Sequence, residues 1–465
     1  MRRFELFLIF AEVFAVAWAA IFGVRTRRGI AAAILLAAFV AHWQIEGLRW
    51  QMIPVYLVAL GLAVGDLLSM ERRLDWARRI SRGLFGLAGL ALGSILPLAL
   101  PVPELPVPTG PEPIGTVSLA IVDSEREEIY GPAPGPGRSI MAQVWYPALS
   151  TGDSDPIPWS EDWDVVAPKV SNLMGYPGWF LSHTGYTLSN ASSAVPVATG
   201  TFPVVVYSHG WTGFRTNAVY QIESLVSNGF IVVAIDHTYI AATTRFPDEE
   251  VVSYDPAALA DPAEVGEEAF VESTETLLGV LTDDIVTVVN ALEAGPNGPF
   301  GDLASSFDTT RLGVYGNEAG GGAAITFCLE DERCDAVLGL DPWVEPIPDR
   351  ALAISATRPS LYMRSDDWRS SDNDAILRGI AERSTATTYW VGVDGTTETD
   401  FLSMPLLSPI ASRLGWKGPI PAGTIIPIVD RYLLGFFEVY LLGTGSAAID
   451  TASFDEVSLE VILPE

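Results

Sequence analysis

The stretch Arg311-Leu-Gly-Val-Tyr-Gly-Asn-Glu-Ala-Gly-Gly321 decides how the second half of this chain folds. Its apolar start, Arg311–Tyr315, predicts a short buried strand, and the glycines predict a tight turn into a helical run that ends at Leu329. Gly316 and Gly320 flank Glu318 with the spacing of the G-x-S-x-G elbow, which places a serine at the tip of a strand–turn–helix. We therefore expect the side chain of Glu318 to stand at the end of a strand.

The surrounding sequence alternates between strand-like and helix-like segments. Pro203–Tyr207 and Phe230–Ile235 are continuous apolar runs, as in buried parallel strands, and Ala218–Ser227 between them predicts a helix. Ile425–Leu442 predicts a closing helix. Further predicted strands lie at Val117–Val122, Met141–Tyr146, Ala336–Leu340, Ser360–Met363 and Thr388–Val391. This alternation predicts an α/β fold with a mostly parallel central sheet.

Charge and hydropathy divide the chain into two unlike parts. The 465 residues include 57 acidic and 27 basic residues, for a net charge of −30. Residues 1–101 hold 11 basic and 6 acidic residues (+5), which leaves 16 basic and 51 acidic residues (−35) for the remainder. A domain of charge −35 repels phosphate, so nucleic acid is excluded as a partner.

The N-terminal part contains four apolar runs. Each approaches the roughly 20 residues that cross a bilayer, so together they predict a bundle of about four transmembrane helices, with the lipid bilayer as partner. The runs are Phe4–Val24, Ile30–Ile45, Ile53–Met70 and Leu84–Leu100.

Arginine placement predicts the orientation of these spans. Two loops are rich in arginine, and the positive-inside rule makes both cytoplasmic. With four spans, both termini and the acidic domain are then extracytoplasmic, whereas three spans would reverse this. The arginines are Arg25, Arg27 and Arg28 in the first of these loops and Arg72, Arg73, Arg78, Arg79 and Arg82 in the second.

The predicted domain organisation follows from these patterns. Residues 1–101 form the transmembrane region, and alternating prolines make 102–113 an extended linker. The α/β domain covers 114–447, and 448–465 form a C-terminal tail. Cys328 and Cys334 are the only cysteines, and the sequence leaves a disulfide and two free thiols equally open.

Six runs in the order of a known family give the chain its resemblance. It resembles the α/β-hydrolases of the platelet-activating-factor acetylhydrolase group (plasma, or type II), especially bacterial members with several N-terminal spans. The runs are Tyr207–Thr216, Phe230–His237, Gly316–Gly322, Leu338–Trp343, Met363–Trp368 and Gly395–Pro409.

The resemblance implies an α/β-hydrolase fold with helices on both faces of the sheet. It also implies hydrolysis of short or oxidised acyl esters of phospholipids by a Ser–Asp–His triad. The motif His209-Gly210-Trp211 follows a predicted strand, so the backbone N–H groups of Trp211 and Ala319 are the expected oxyanion-hole donors.

Two of the three triad positions are altered in this chain. The aspartate falls on Asp341, which is intact, but the serine falls on Glu318 and the histidine on Glu398. The four histidines all precede the elbow, so none can stand in the α/β-hydrolase order of nucleophile, acid, histidine. They are His42, His183, His209 and His237.

These substitutions favour a pseudoenzyme that serves as a binding or scaffold module, with an acyl or lipid ligand and no cofactor. One alternative is a hydrolase with a rebuilt site, in which Glu318 attacks as a carboxylate nucleophile and Glu398 or His237 activates water. The other is a calcium or magnesium site formed by Glu318, Asp341 and Glu398.

Overall fold

The structure is a computed structural model that describes residues 1–22, 29–68, 76–132, 134–152, 154–444, 449 and 454–464. Its contacts divide the chain into two compact units. The helical unit comprises Met1–Glu104, Phe180–Thr187 and Leu407–Ile410. The sheet unit comprises Leu105–Trp179, Leu188–Leu406 and Ala411–Glu465.

The helical unit contains five helices in the part of the chain described. One stretch there, Trp50–Leu67, is both long and apolar enough to cross a membrane, while Ile30–Glu46 and Gly83–Ala99 are apolar but shorter. The four-span bundle therefore stays a prediction. Residues 23–28 and 69–75, with five of the eight orienting arginines, lie outside the described residues. The helices are α1 (Arg3–Phe22), α2 (Ile30–Glu46), α3 (Ile53–Leu68), α4 (Trp76–Gly93) and α5 (Ile95–Ala99).

A buried ion pair ties three segments together at one end of the helical unit. Arg49 precedes α3 and donates from Nε and Nη2 to the two carboxylate oxygens of Glu5 in α1, at 2.6 and 2.9 Å. Its Nη1 donates to the carbonyl of Leu100, just beyond α5, at 2.5 Å. Such bidentate pairs are geometrically specific. The start of the chain and the start of the linker therefore lie at the same end of this unit.

In the part of the chain that the structure describes, the sheet unit carries thirteen strands and eight α-helices. The strands are β1 (Ile114–Glu128), β2 (Gly135–Pro147), β3 (Pro156–Pro158), β4 (Leu188–Ser193), β5 (Phe202–Ser208), β6 (Ile231–Asp236), β7 (Thr243–Arg245), β8 (Val251–Ser253), β9 (Phe307–Asn317), β10 (Ala336–Leu340), β11 (Ser360–Arg364), β12 (Thr388–Val393) and β13 (Val457–Ile462). The helices are α6 (Trp163–Leu173), α7 (Val219–Ser227), α8 (Pro262–Val265), α9 (Glu267–Glu293), α10 (Glu318–Glu330), α11 (Asp349–Leu352), α12 (Asp372–Glu382) and α13 (Ala422–Phe437).

Eleven of these strands form one mixed sheet in the order β13-β12-β11-β10-β9-β5-β6-β2-β1-β4-β3. The six central strands, from β12 to β6, are parallel, and β2 and β13 pair antiparallel with the two ends of that block. Apolar residues of α9, α10 and α12 pack on one face, and those of α7 and α13 pack on the other. Covering both faces explains why the central strands are continuous apolar runs rather than alternating ones.

The end of the chain belongs to this sheet. β13 pairs antiparallel with β12, so that Glu460 lies opposite Trp390. Residues 457–462, assigned from sequence to a C-terminal tail, thus form an edge strand. Its sequence, Val457-Ser-Leu-Glu-Val-Ile462, is interrupted by Ser458 and Glu460 and so lacks the continuous apolar run that identifies the buried central strands.

The two cysteines form a disulfide between the end of α10 and the approach to β10. Cys328 and Cys334 are bonded, with their Cα atoms 5.2 Å apart. Both are buried at the margin of the core. This settles the alternative that the sequence left open.

Replacing both cysteines, as Cys328→Ala with Cys334→Ala, is expected to lower the free energy of unfolding by about 2 kcal/mol. The closed loop is short, so the chain-entropy gain of the bond is at the low end of its range. Chemical denaturation of the oxidised protein and of the variant measures the difference. Oxidised and reduced wild type of equal stability would contradict the assignment.

Candidate functional site

Parallel strand register brings the candidate site residues to one edge of the sheet. Ser208 at the end of β5 lies opposite Gly316 of β9, and Asn317 of β9 lies opposite Leu340 at the end of β10. Beyond these ends the chain continues to Trp211, Glu318 and Asp341. Ligand sites of open α/β sheets form at this carboxyl edge.

The turn between β9 and α10 has the backbone of the predicted elbow. Glu318 has a φ of +49°, which is rare for a residue with a side chain. A Cβ atom on Gly316 would lie 2.4 Å from the carbonyl oxygen of Gly320, and one on Gly320 would lie 2.2 Å from that of Ser208. The two flanking glycines are therefore required by close backbone approach.

The carboxylate of Glu318 lies in the oxyanion hole predicted from sequence. The backbone N–H of Trp211 donates to its Oε2 at 2.6 Å, and the backbone N–H of Ala319 also hydrogen-bonds to it. A Cβ atom on Gly210 would lie 2.4 Å from the same oxygen, so the glycine makes room for the carboxylate. The two N–H groups that would stabilise the oxyanion of a reaction are thus already bound to the carboxyl group of Glu318.

Asp341 follows β10, and its carboxyl group is bound by Ser365. The backbone N–H of Ser365 donates to Oδ1 at 2.7 Å, and the Ser365 side chain also hydrogen-bonds to the carboxyl group. Its Oδ2 has no hydrogen-bond partner, although the residue is only 3% exposed. Burial raises the pKa of Asp341 to about 7 because it penalises the charged form.

Glu398 begins a short 3₁₀ turn, Glu398–Phe401, that follows β12. Asp400 fixes this turn through an ion pair with Lys417 at 2.8 Å and a hydrogen bond from the backbone N–H of Gly418. The Glu398 carboxyl hydrogen-bonds to the side chain of Asn317, beside the elbow.

The carboxyl groups of Glu318, Asp341 and Glu398 act on one another. Burial, followed by the charges of Glu318 and Asp341, raises the pKa of Glu398 to about 8. Burial also raises the pKa of Glu318, against the two backbone N–H groups that favour its charged form. The structure therefore brings all three predicted residues together, with Glu398 protonated at neutral pH and Glu318 held by charge-stabilising donors.

The metal alternative finds no support in the geometry. Within the described ranges, no group of three His, Cys, Asp or Glu side chains is arranged to hold a metal ion. Burial is instead the largest cause of the raised pKa of each of the three acids, with the charges of Glu318 and Asp341 adding to it at Glu398.

A fully buried row of hydrogen-bonded polar side chains, which begins at Ser208 at the end of β5, was not predicted from the sequence. Ser208 Oγ lies 2.8 Å from Nε2 of His237, and Nδ1 of His237 lies 2.9 Å from Oδ2 of Asp284 in α9. Arg138 of β2 binds both oxygens of that aspartate at 2.6 Å. Asp284 is 47 residues from His237, and no spacing rule links them.

These hydrogen bonds limit what His237 can do. Both of its ring nitrogens are engaged and its side chain is fully buried. It is therefore not free to activate water at Glu318, as one sequence alternative required.

The sequence model of the family described as platelet-activating factor acetylhydrolase, isoform II, matches residues 176–268 and 277–444. The chain belongs to this family. All three acidic site residues and both oxyanion-hole donors fall within the matched segments.

Curated relatives are similar at low identity. The platelet-activating factor acetylhydrolase of the guinea pig, Cavia porcellus, is 24% identical over 53% of this chain and 59% of the relative. That of the chicken, Gallus gallus, is 22% identical over 64% and 77%, and that of the dog, Canis lupus familiaris, is 26% identical over 65% and 72%. The chain thus spans about three fifths of the guinea pig protein and somewhat more of the others.

A solved structure supports the fold. A ferulic acid esterase from Streptomyces cinnamoneus superposes with a TM-score of 0.61 at 23% identity, covering 77% of this chain and 99% of the esterase. The two proteins therefore share a fold built on a mixed α/β sheet with helices.

The raised pKa of Glu398 predicts a pH-dependent stability. An acid whose pKa is higher in the folded state binds more protons when folded, so stability falls as pH rises from about 4.5 to about 8. Glu398→Gln removes this loss. We expect the variant to match wild type at pH 5 and to gain about 1–3 kcal/mol at pH 8, since one pKa unit equals about 1.4 kcal/mol and the group is partly exposed.

Denaturation midpoints at both pH values measure this effect, with the exposed Glu275→Gln as matched control. Parallel pH profiles for wild type and Glu398→Gln would show that Glu398 does not hold the proton.

Proposed function

We propose that this protein is a membrane-anchored member of the family that does not hydrolyse esters by the serine mechanism and uses the altered site to bind a ligand. One observation carries the proposal: the carboxylate of Glu318 accepts hydrogen bonds from the N–H groups of Trp211 and Ala319. An acyl substrate would need those donors for its carbonyl oxygen. The site is thus closed to the step that defines the family's chemistry.

The side chains that could take a proton from a serine also argue against the serine mechanism. A serine mechanism needs a base to take the hydroxyl proton. His209 is fully buried, with Nδ1 2.7 Å from the carbonyl of Gly210 and Nε2 accepting from the backbone N–H of His237. Glu398, which stands at the histidine position, holds its own proton at neutral pH because its pKa is about 8.

The anchoring part of the proposal rests on the helical unit. Its apolar helices, the apolar stretch Trp50–Leu67 and the arginines placed in sequence between the apolar runs favour an integral membrane protein with the sheet unit outside the cytoplasm. The Cys328–Cys334 disulfide supports this placement, because such bonds persist in oxidising compartments.

A hydrolase that uses Glu318 as nucleophile is the competing function, and the names of the relatives favour testing it. A carboxylate nucleophile must leave the oxyanion hole before the same donors can bind a substrate oxyanion. The extra methylene of glutamate over aspartate also changes the attack distance that the elbow fixes. Both points weigh against it.

The wild-type protein is expected to remain unlabelled by a fluorophosphonate probe and to hydrolyse p-nitrophenyl acetate no faster than buffer. The same assay with epoxide and haloalkane substrates, and Glu318→Gln as control, separates the two functions. Turnover that disappears in Glu318→Gln would overturn the binding proposal and establish the carboxylate nucleophile.

Restoring the two triad residues is expected to create an esterase. Glu318→Ser empties the oxyanion hole and supplies the nucleophile, and Glu398→His can donate to the unpartnered Oδ2 of Asp341. We expect the double variant to hydrolyse p-nitrophenyl acetate at least about 100-fold faster than either single variant, because triad members act as a unit. Equal rates for the single and double variants would show that the hole or the acid is misplaced.

A further inference from the structure

A cavity of about 430 Å³ lies along one face of α13, and none of the elbow-site residues lines it. Thr109, in the segment that precedes β1, and Phe454, in the segment that precedes β13, form its other walls. Three segments that are far apart in the sequence therefore meet around it, and all of them belong to the sheet unit. Its volume lies within the range of roughly 300–1,000 Å³ that is typical of small-molecule sites.

The side chains that α13 contributes recur at the spacing of one helix face. Asp430, Leu434 and Glu438, the residue that directly follows α13, succeed one another at intervals of four, and Arg431 and Gly435 lie beside them. Gly435 comes four residues after Arg431 and three before Glu438, so the position between these two charged residues carries no side chain. This leaves room on the helix surface between a cation and a carboxyl group.

The spacing of the charged residues works against direct pairing on the helix. Arg431 and Glu438 are about 10 Å apart along the helix axis, whereas ion pairs on a helix form between residues three or four apart. Asp430 and Arg431 are neighbours in sequence and do not face each other. Among the described residues, the side chains of Arg431 and Glu438 have no hydrogen-bond or ion-pair partner. Both groups are therefore available to a ligand.

The cavity offers a ligand one cation, two carboxyl groups and an apolar wall. Arg431 presents the planar guanidinium fork that binds a carboxylate through two N–H bonds. Glu438 can accept N–H bonds from an ammonium group, and the charge of Asp430 also acts there. Leu434 and Phe454 supply apolar surface. Residues 102–465 carry a net charge of −35, which repels a net anion but not a zwitterion.

We propose that this cavity binds a small zwitterion with an apolar body, a dipeptide with free termini and apolar side chains. Its carboxylate pairs with Arg431, its ammonium group with Glu438, and its side chains with Leu434 and Phe454. The termini of an extended dipeptide are about 7 Å apart, and the side chains of Arg431 and Glu438 reach toward each other over the rest of their separation. The site is separate from the altered triad, so the inference does not depend on the proposed function.

Isothermal titration calorimetry with leucyl-leucine, on the full chain in lipid nanodiscs, tests the proposal. Three analogues each lack one of the expected contacts: N-acetyl-leucyl-leucine has no ammonium group, leucyl-leucinamide has no carboxylate, and glycylglycine has no apolar side chains. We expect one leucyl-leucine per chain, bound at least tenfold more tightly than each analogue. Tenfold corresponds to about 1.4 kcal/mol.

Two variants assign the ends of the dipeptide. Arg431→Gln and Glu438→Gln should each weaken leucyl-leucine binding at least tenfold. Arg431→Gln should also remove the discrimination against the amide, and Glu438→Gln that against the acetylated dipeptide, because variant and analogue then lack the same contact. Arg413→Gln replaces an exposed arginine outside the cavity and should leave the affinity unchanged. Circular dichroism checks that each variant is folded.

Three outcomes would overturn the inference. The first is undetectable leucyl-leucine binding, or equal affinity for it and the three analogues. The second is wild-type affinity in both Arg431→Gln and Glu438→Gln. The third is affinity lost in Glu318→Gln and kept in the two cavity variants, which would place the ligand at the elbow instead.

Discussion

The parallel register of β5, β9 and β10 is the constraint on which the site depends. It aligns Ser208 with Gly316 and Asn317 with Leu340, so that three chain reversals occur at one edge. The backbone approach at Gly316 and Gly320 then leaves one path for the turn and forces Glu318 to a φ of +49°. The elbow is thus preserved by packing, independently of the residue at its tip.

The same backbone creates two donors that need an acceptor. The N–H groups of Trp211 and Ala319 converge at the elbow, and buried unpaired N–H groups are costly. In an esterase, water or substrate satisfies them, whereas here Oε2 of Glu318 does so at 2.6 Å from Trp211. This hydrogen bond satisfies the donor while the carboxyl group occupies the reaction site, and burial nevertheless keeps the pKa of Glu318 above its usual value.

The sequence predicted the fold and the identity of the site well where the signals were local. Apolar runs gave the central strands, and the elbow glycines placed Glu318. The sequence alone also shows that no histidine follows the elbow. The edge strand β13 escaped prediction because Ser458 and Glu460 interrupt its apolar residues. The hydrogen-bonded row Ser208–His237–Asp284 escaped it because it depends on a contact between residues 47 positions apart.

The side chain of Glu318 could be placed at the elbow from sequence, but its direction could not. An elbow residue can point outward as a nucleophile or turn back onto the backbone donors. In the structure Glu318 turns back onto the backbone donors, and two N–H groups favour its charged form. A carboxylate that pointed outward would face Asp341 and Glu398 without those donors. The proton then stays on Glu398, whose ionisation is favoured by a single side-chain hydrogen bond, from Asn317, rather than by two backbone donors. The charge of Glu318 is one cause of the raised pKa of Glu398, so the two residues form one electrostatic arrangement.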